Sequence, residues 1–399
     1  MAKNTYGVWG VYPGDDPTSL ALPDYFSTYL AYTFDTTLHP NTRLCITGDF
    51  PYARYMSFNI YPTRSGTSLG GMTDYQIRTQ PPNINPFVAG SDEQAQARQY
   101  VITIEPEGDA PTGEQSPSGF SAFENLLTYN PKDLIVSPFP EQLLTVIIRY
   151  YVPVDKYGGV DPPEVEVLSM DDNQPLDPQP KPYPVFMDVN EPIFRHRLAP
   201  IFDSVGGDAL RFYHSVGGGQ FNNADNLYLI SAVDGVDGED NVVILRVMPP
   251  TFPRTNEDFD EVAVRYWSFN QGNPNTSTPI GMRDGEFRLA LDGFVYLVMG
   301  GESVRVKAHQ GGYNYMPWLA NNEQAVIIYR NMLTNPQYRG SILRVPELPK
   351  APWDEAQLVA YEASRYLGDY APVGRKVTAQ EFNESYGGMP SPGFAPLPH

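Results

Sequence analysis

Cysteine is nearly absent: one Cys in 399 residues. That excludes a disulfide framework and any multi-Cys zinc or iron–sulfur site. Histidine is scarce too, with only His39, His196, His214, His309 and His399. No two of these lie at a metal-ligand spacing. Positive charge is in short supply, with 27 Lys+Arg against 47 Asp+Glu and a formal net charge of −20. Such a chain repels the phosphates of DNA and RNA, so no nucleic-acid partner is expected. No apolar run approaches the roughly 18 residues of a membrane-spanning helix, so no membrane span is expected either. There is no Gly-x-Ser-x-Gly elbow, and the Gly217-Gly218-Gly219 run opens no helix that would cradle phosphate. The segment Met1-Ala2-Lys3-Asn4-Thr5-Tyr6 lacks the apolar core of a signal peptide. The expected location is cytoplasmic if Met1 is the native start, and secreted if a signal peptide has been removed.

What the chain does have is 40 Pro, 27 Tyr and 20 Phe, within 41% apolar and 13% aromatic residues. That is too much apolar side chain for a disordered polymer. Proline ends helices and is kept out of central ladder positions. The composition therefore reads as short strands joined by stiff loops. About a dozen strand-like runs, rich in Val, Ile, Tyr and Phe, are bounded by Pro, Gly, Asn and Asp. They include residues 43–47, 53–61, 100–105, 144–152, 226–233, 242–248, 261–269, 287–291, 303–308 and 324–332. A parallel α/β sheet would need a helical crossover after each strand, and such segments are missing. The expected fold is all-β and mainly antiparallel: two tandem β-sandwich or jelly-roll-like units with a C-terminal helix. Pro352-Trp353-Asp354-Glu355 reads as the start of that helix. Ala356, Val359, Ala360, Ala363, Leu367 and Tyr370 then share one face. A shorter helix, interrupted by Pro23, fits residues 20–32.

An internal repeat organises the chain. Ala53-Arg54-Tyr55-Met56-Ser57-Phe58-Asn59 matches Val264-Arg265-Tyr266-Trp267-Ser268-Phe269-Asn270. Asp49-Phe50-Pro51 matches Thr251-Phe252-Pro253, and Val146-Ile147-Ile148-Arg149 matches Val326-Ile327-Ile328-Tyr329-Arg330. The elements follow in the same order, as in a duplicated unit. The first unit would span 1–170 and the second 200–345. Between them lies a Pro-rich linker, 171–199. A C-terminal helix and Pro/Gly-rich tail would occupy 346–399.

These segments resemble bacterial proteins that carry the paired domains of unknown function twelve-fifty-four and twelve-fourteen. The residues in question are Trp267-Ser268 (Met56-Ser57 in the other copy), Met316-Pro317-Trp318-Leu319, and Arg149-Tyr150-Tyr151-Val152-Pro153 followed by Gly158, Gly159, Pro162 and Pro163. The stretch Phe50 to Ser57 is similar to a further uncharacterised bacterial group. The present chain differs in carrying two copies of one unit. The resemblance implies a β-sandwich-like fold and brings no activity, so it carries over no catalytic residue.

Alternation in a strand puts Arg265 on the face of Trp267 and Phe269, and Arg54 on that of Met56 and Phe58. A charge on an apolar face needs a partner. Either these arginines reach into a pocket for an anion, or they bond to carbonyls or an Asp inside the protein. Tyr313, Tyr315 and Trp318 join Arg265, Trp267 and Arg54 as candidate ligand-binding residues. The alternative for the aromatics is core packing. The acidic run Asp234-Gly235-Val236-Asp237-Gly238-Glu239-Asp240 offers Asp234, Asp237, Glu239 and Asp240 as oxygen ligands for Ca²⁺. Asp-Gly is equally a hairpin signal. No other cofactor is expected.

Two functions compete. One is a non-catalytic β-sandwich protein for ligand binding or self-assembly, forming a homo-oligomer through its C-terminal tail. The other is an enzyme acting on a small organic molecule or sugar in an aromatic-lined pocket between the units. Its acid–base group would be a carboxylate such as Asp284 or Glu286.

Overall fold

The computed structural model describes residues 9–16, 23–38, 40–107, 125–135, 141–176, 209–214, 221–234, 240–272, 278–319, 324–349 and 353–386. The first half begins with β1 (Gly10–Pro13), β2 (Ser27–Asp35), β3 (Thr42–Asp49), β4 (Tyr55–Pro62) and β5 (Gly70–Thr73). It continues with β6 (Gln99–Pro106), β7 (Leu126–Tyr129), β8 (Leu143–Tyr151) and β9 (Glu164–Ser169). One sheet has the order β1-β2-β8-β4-β5 and the other β7-β6-β3-β9. The second half opens with β10 (Ala209–Leu210), β11 (Tyr213–His214), β12 (Asn226–Asp234), β13 (Asn241–Val247) and β14 (Tyr266–Gly272). Then come β15 (Ile280–Arg283), β16 (Val295–Gly300), β17 (Asn314–Pro317), β18 (Gln324–Met332) and β19 (Val373–Thr378). Its sheets run β11-β12-β18-β14-β15 and β10-β19-β13-β16-β17. The protein is all-β, with sandwich-like sheets.

The sheets led by β1 and β11 repeat one strand order in one register, and the other two match over four strands, the second adding β10 at its edge. Arg149 lies opposite Tyr29 and Ser57, and Arg330 opposite Tyr228 and Ser268. The ladders are antiparallel, except that β6–β7 and β16–β17 run parallel. Within each half, apolar side chains of the two sheets interdigitate into one core. The five-stranded sheets led by β1 and β11 face one another, so they form the middle layers. Their central strands are buried on both faces. The sequence of β8, LLTVIIRYY, shows how. Leu144, Val146, Ile148 and Tyr150 fill the core of the first half. Ile147 and Tyr151, of opposite parity, join Tyr29, Tyr55, Tyr266 and Met332 at the seam.

Several local expectations are corrected. Residues 303–308 lie in a helix, α1 (Glu302–Gln310), not a strand. Val304 and Ala308, one turn apart, are buried against the outer sheet, while Val306 is exposed. Residues 287–291 form no strand; Phe287 instead stacks on Trp267. Around residues 20–32 the described part is mostly β2, whose Thr, Tyr and Phe suit a strand. The long C-terminal helix is broken into α2 (Glu355–Tyr361) and α3 (Ser364–Leu367). At the break, Glu362 adopts extended dihedrals and bridges to Tyr213. Beyond it β19 pairs with β13 and β10, so a segment read as helix and tail completes the second outer sheet. Residues 177–199 of the Pro-rich linker and 387–399 of the tail lie outside the described residues.

Candidate functional site: a cation-lined cavity at the seam

The repeated arginines pair across the seam. Arg54 Nη1 lies 2.5 Å from both carboxylate oxygens of Asp284, in the other half. Arg265 Nη1 donates to Asp74 at 2.7 Å, again in the other half. Asp74 and Asp284 hold corresponding places just after β5 and β15. The two contacts are therefore reciprocal, as in an isologous dimer interface. Both acids are buried. Burial pushes the Asp74 carboxyl up to about 6, opposed by Arg265 and by the backbone N–H groups of Met56 and Tyr75. Asp284 is raised by the same cause, with Arg54 opposing.

Deeper in the seam the symmetry breaks. Arg330 donates to the carboxylate of Asp24, which also accepts from Tyr266 Oη at 2.7 Å, Ser268 Oγ at 2.6 Å and Asn270 Nδ2 at 3.1 Å. By strand register, the counterpart of Asp24 is Asn223, whose amide donates to Tyr55 Oη at 2.8 Å. Arg149, the counterpart of Arg330, is bonded instead to Asn59 Oδ1 at 2.6 Å, to Tyr61 Oη at 2.9 Å and to the Phe221 carbonyl. Burial pushes the Tyr55 and Tyr266 hydroxyls well above their ordinary value, so both remain O–H donors.

The halves also differ in two connections. Residues 77–98 of the first half correspond to the shorter 287–294 of the second, and residues 248–265 of the second to the shorter 50–54 of the first. These two longer connections meet. Asn256 donates to the carbonyls of Pro86 at 2.9 Å and Ser91 at 2.7 Å, and its backbone N–H donates to Glu93 Oε1 at 2.6 Å. A cavity of about 270 Å³ opens where they meet the segment Pro51–Arg54. Its charged lining is Arg54, Arg98, Arg254 and Glu93.

Arg98 is the distinctive group. It is 3% exposed, and its guanidinium lies 3.8 Å from the ring centroid of Tyr52. Nη2 donates to the Glu93 carbonyl at 2.7 Å, but Nε and Nη1 have no hydrogen-bond partner among the described residues. Burial lowers its basicity, opposed by Tyr52 and by the Asp49 and Asp92 carboxylates. Tyr52 is itself held by the loop after β8: its N–H donates to Gly158 at 2.7 Å, and its carbonyl accepts from Val154 at 3.0 Å. Gly158 has φ of +71°, and a Cβ there would sit 2.3 Å from that of Pro51. Glycine meets both demands.

Of the residues singled out from sequence as ligand-binding, Arg54 lines this cavity and the others lie elsewhere. Arg265 packs on Phe259 at 3.8 Å while bonded to Asp74. Trp267 and Trp318 belong to the core of the second half. Tyr313 packs on the far face of its outer sheet, and Tyr315 donates to the Gly300 carbonyl at 2.8 Å. Asp284 is tied to Arg54 and to two backbone N–H groups rather than presented for proton transfer. Asp237, Glu239 and the side chain of Asp234 lie outside the described residues; Asp240 sits next to β13. Among the described residues no three His, Cys, Asp or Glu come together as a metal-binding group. Burial pushes the Cys45 thiol up to about 11, which keeps it protonated. No helix among the described residues is long and apolar enough to cross a membrane.

Arg98 carried no signal in the sequence reading because it has no counterpart in the repeat. The segments that frame it did: Phe50 to Arg54, Val152 and Gly158-Gly159 all belong to the motifs behind the family resemblance.

The chain is similar in fold to an uncharacterised protein from Burkholderia cenocepacia, at a TM-score of 0.53 and 13% identity over 94% of this chain and 83% of that one. A weaker likeness joins it to the VPA0106 protein of Vibrio parahaemolyticus, at a TM-score of 0.43 and 11% identity over 79% and 86%. No family model and no curated protein matches the chain.

Proposed function

We propose that the protein is a non-catalytic double β-sandwich that holds a small ligand in the cavity at its seam. The observation that carries this reading is the Arg98 guanidinium, buried on the cavity wall with Nε and Nη1 unmet among the described residues. An unmet buried donor costs on the order of 1–3 kcal/mol. Other buried polar atoms of this protein are also unmet, but among the described arginines Arg98 is the one with two such nitrogens. Acceptors on a bound molecule would remove that cost. The cavity's acid, Glu93, already accepts from Asn256. The buried unmet atoms on the wall, among the described residues, are the two donors of Arg98, which suits holding an anion better than moving a proton.

Self-assembly through the tail, and kinship with the twelve-fifty-four/twelve-fourteen domain proteins as a tandem repeat of one unit, belong to the same proposal. Native mass spectrometry of protein purified from its own cells tests the ligand. A non-covalent mass lost on denaturation is expected, and a bare chain mass overturns the reading. Truncation after Tyr386 tests the tail: it should convert oligomer to monomer, and an unchanged assembly mass would end that part.

A further inference from the structure

We infer that the seam cavity takes a small organic monocarboxylate with an apolar, ring-sized body. This rests on the ligand-binding reading above and names the class of ligand.

Charge sets the head group. Arg54 is neutralised by Asp284. Glu93 offsets one of the two remaining arginines, Arg98 and Arg254. One net positive charge is left on the wall, inside a chain of net charge −20. Asp49 and Asp92 lie close enough to act on Arg98 and lower the local charge further, so the balance accommodates one negative charge at most. A dianion would meet Glu93 on the wall and the Asp49 and Asp92 carboxylates, which already act on Arg98. Geometry selects a carboxylate among monoanions. A guanidinium is planar; Nε–H and Nη1–H leave it on different edges, so the fork left open pairs one of them with the second N–H of Nη2, and such a pair matches two coplanar oxygens. Stacking on Tyr52 and the Nη2 bond to Glu93 hold that plane in place before any ligand arrives.

The remaining wall sets the body. Pro51, Pro86, Phe87, Pro253 and Phe259 surround the charged groups with flat apolar surface. Such faces pack against a ring. At about 270 Å³ the space is at the small end for a ligand site and suits a body of about one ring.

Calorimetric titration of the full chain with benzoate, benzamide and phenyl phosphate tests this. Benzoate should bind at least tenfold tighter than benzamide. Arg98→Gln should weaken benzoate tenfold or more, which corresponds to about 1.4 kcal/mol. Arg254 is exposed; Arg254→Gln should leave folding intact and weaken benzoate two- to threefold. Equal binding of benzamide, or tighter binding of phenyl phosphate, overturns the monocarboxylate class and leaves the ligand-binding reading standing. Benzoate binding undiminished in both variants places the ligand elsewhere and overturns the inference. Failure of all three probes overturns it too, while the native mass decides the broader reading independently.

Discussion

Asp24 offers the sharpest test of how the halves are joined. It is fully buried and accepts from four side chains, of which Arg330 is 2% exposed. Replacing it by Ala strands the Arg330 charge in a water-poor seam. Breaking a buried pair in this way costs about 3–5 kcal/mol. The hydroxyls of Tyr266 and Ser268 lose their acceptor as well, so the upper end of that range is expected. The counterpart, Asn223, holds no arginine. Asn223→Ala should therefore cost only about 1–2 kcal/mol, from losing its two neutral contacts, with Tyr55 Oη and with the Asp225 N–H. The double variant Asp24→Ala/Arg330→Met removes the stranded charge and should recover about 2 kcal/mol or more relative to Asp24→Ala alone. Urea unfolding followed by tyrosine and tryptophan fluorescence reads these proteins, the wild type and Arg330→Met alone on one scale. If Asp24→Ala and Asn223→Ala are equally mild, or if the double variant loses the sum of its parts, Asp24 is not the keystone of the seam.

Asp74 should make stability depend on pH in a direction opposite to most paired acids. Its folded value, about 6, lies above the ordinary 3.8, so the native state binds the extra proton. This contribution is largest below about pH 4 and is lost as pH rises through 6, by about 3 kcal/mol in total. Comparing melting temperatures at pH 7.5 and 5.5 in the wild type and in Asp74→Asn isolates it; equal pH slopes would contradict it. Gly158→Ala should cost about 1–3 kcal/mol, because its φ is left-handed and its new Cβ would strike Pro51. It should also displace Tyr52 and weaken any ligand of the seam cavity; an unchanged melting temperature would show that the loop is not tight there.

Strand alternation is a property of neighbouring residues, and it was enough to read much of this protein. The Tyr-rich segments around Arg54 and Arg265, the strands ending in Arg149 and Arg330, and their common order all come from local pattern. The same locality misled the reading of α1. Val304, Val306 and Ala308 alternate with Arg305 and Lys307 as in a strand, yet only the one-turn pair Val304 and Ala308 faces a neighbour. What tertiary structure alone decided is which charges meet. Arg54 finds Asp284 and Arg265 finds Asp74, each across the seam and far along the chain. Parity could show that these arginines needed partners, but not that one copy of the unit supplies them to the other. The cavity is a still later consequence. It arises where a long connection of one half meets a long connection of the other, at the places where the repeat departs from its own symmetry. Arg98 is held by Tyr52 and Glu93 of its own half, but the cavity it faces is closed by Arg254, Asn256 and Phe259 of the other, a nearness that no spacing along the sequence encodes.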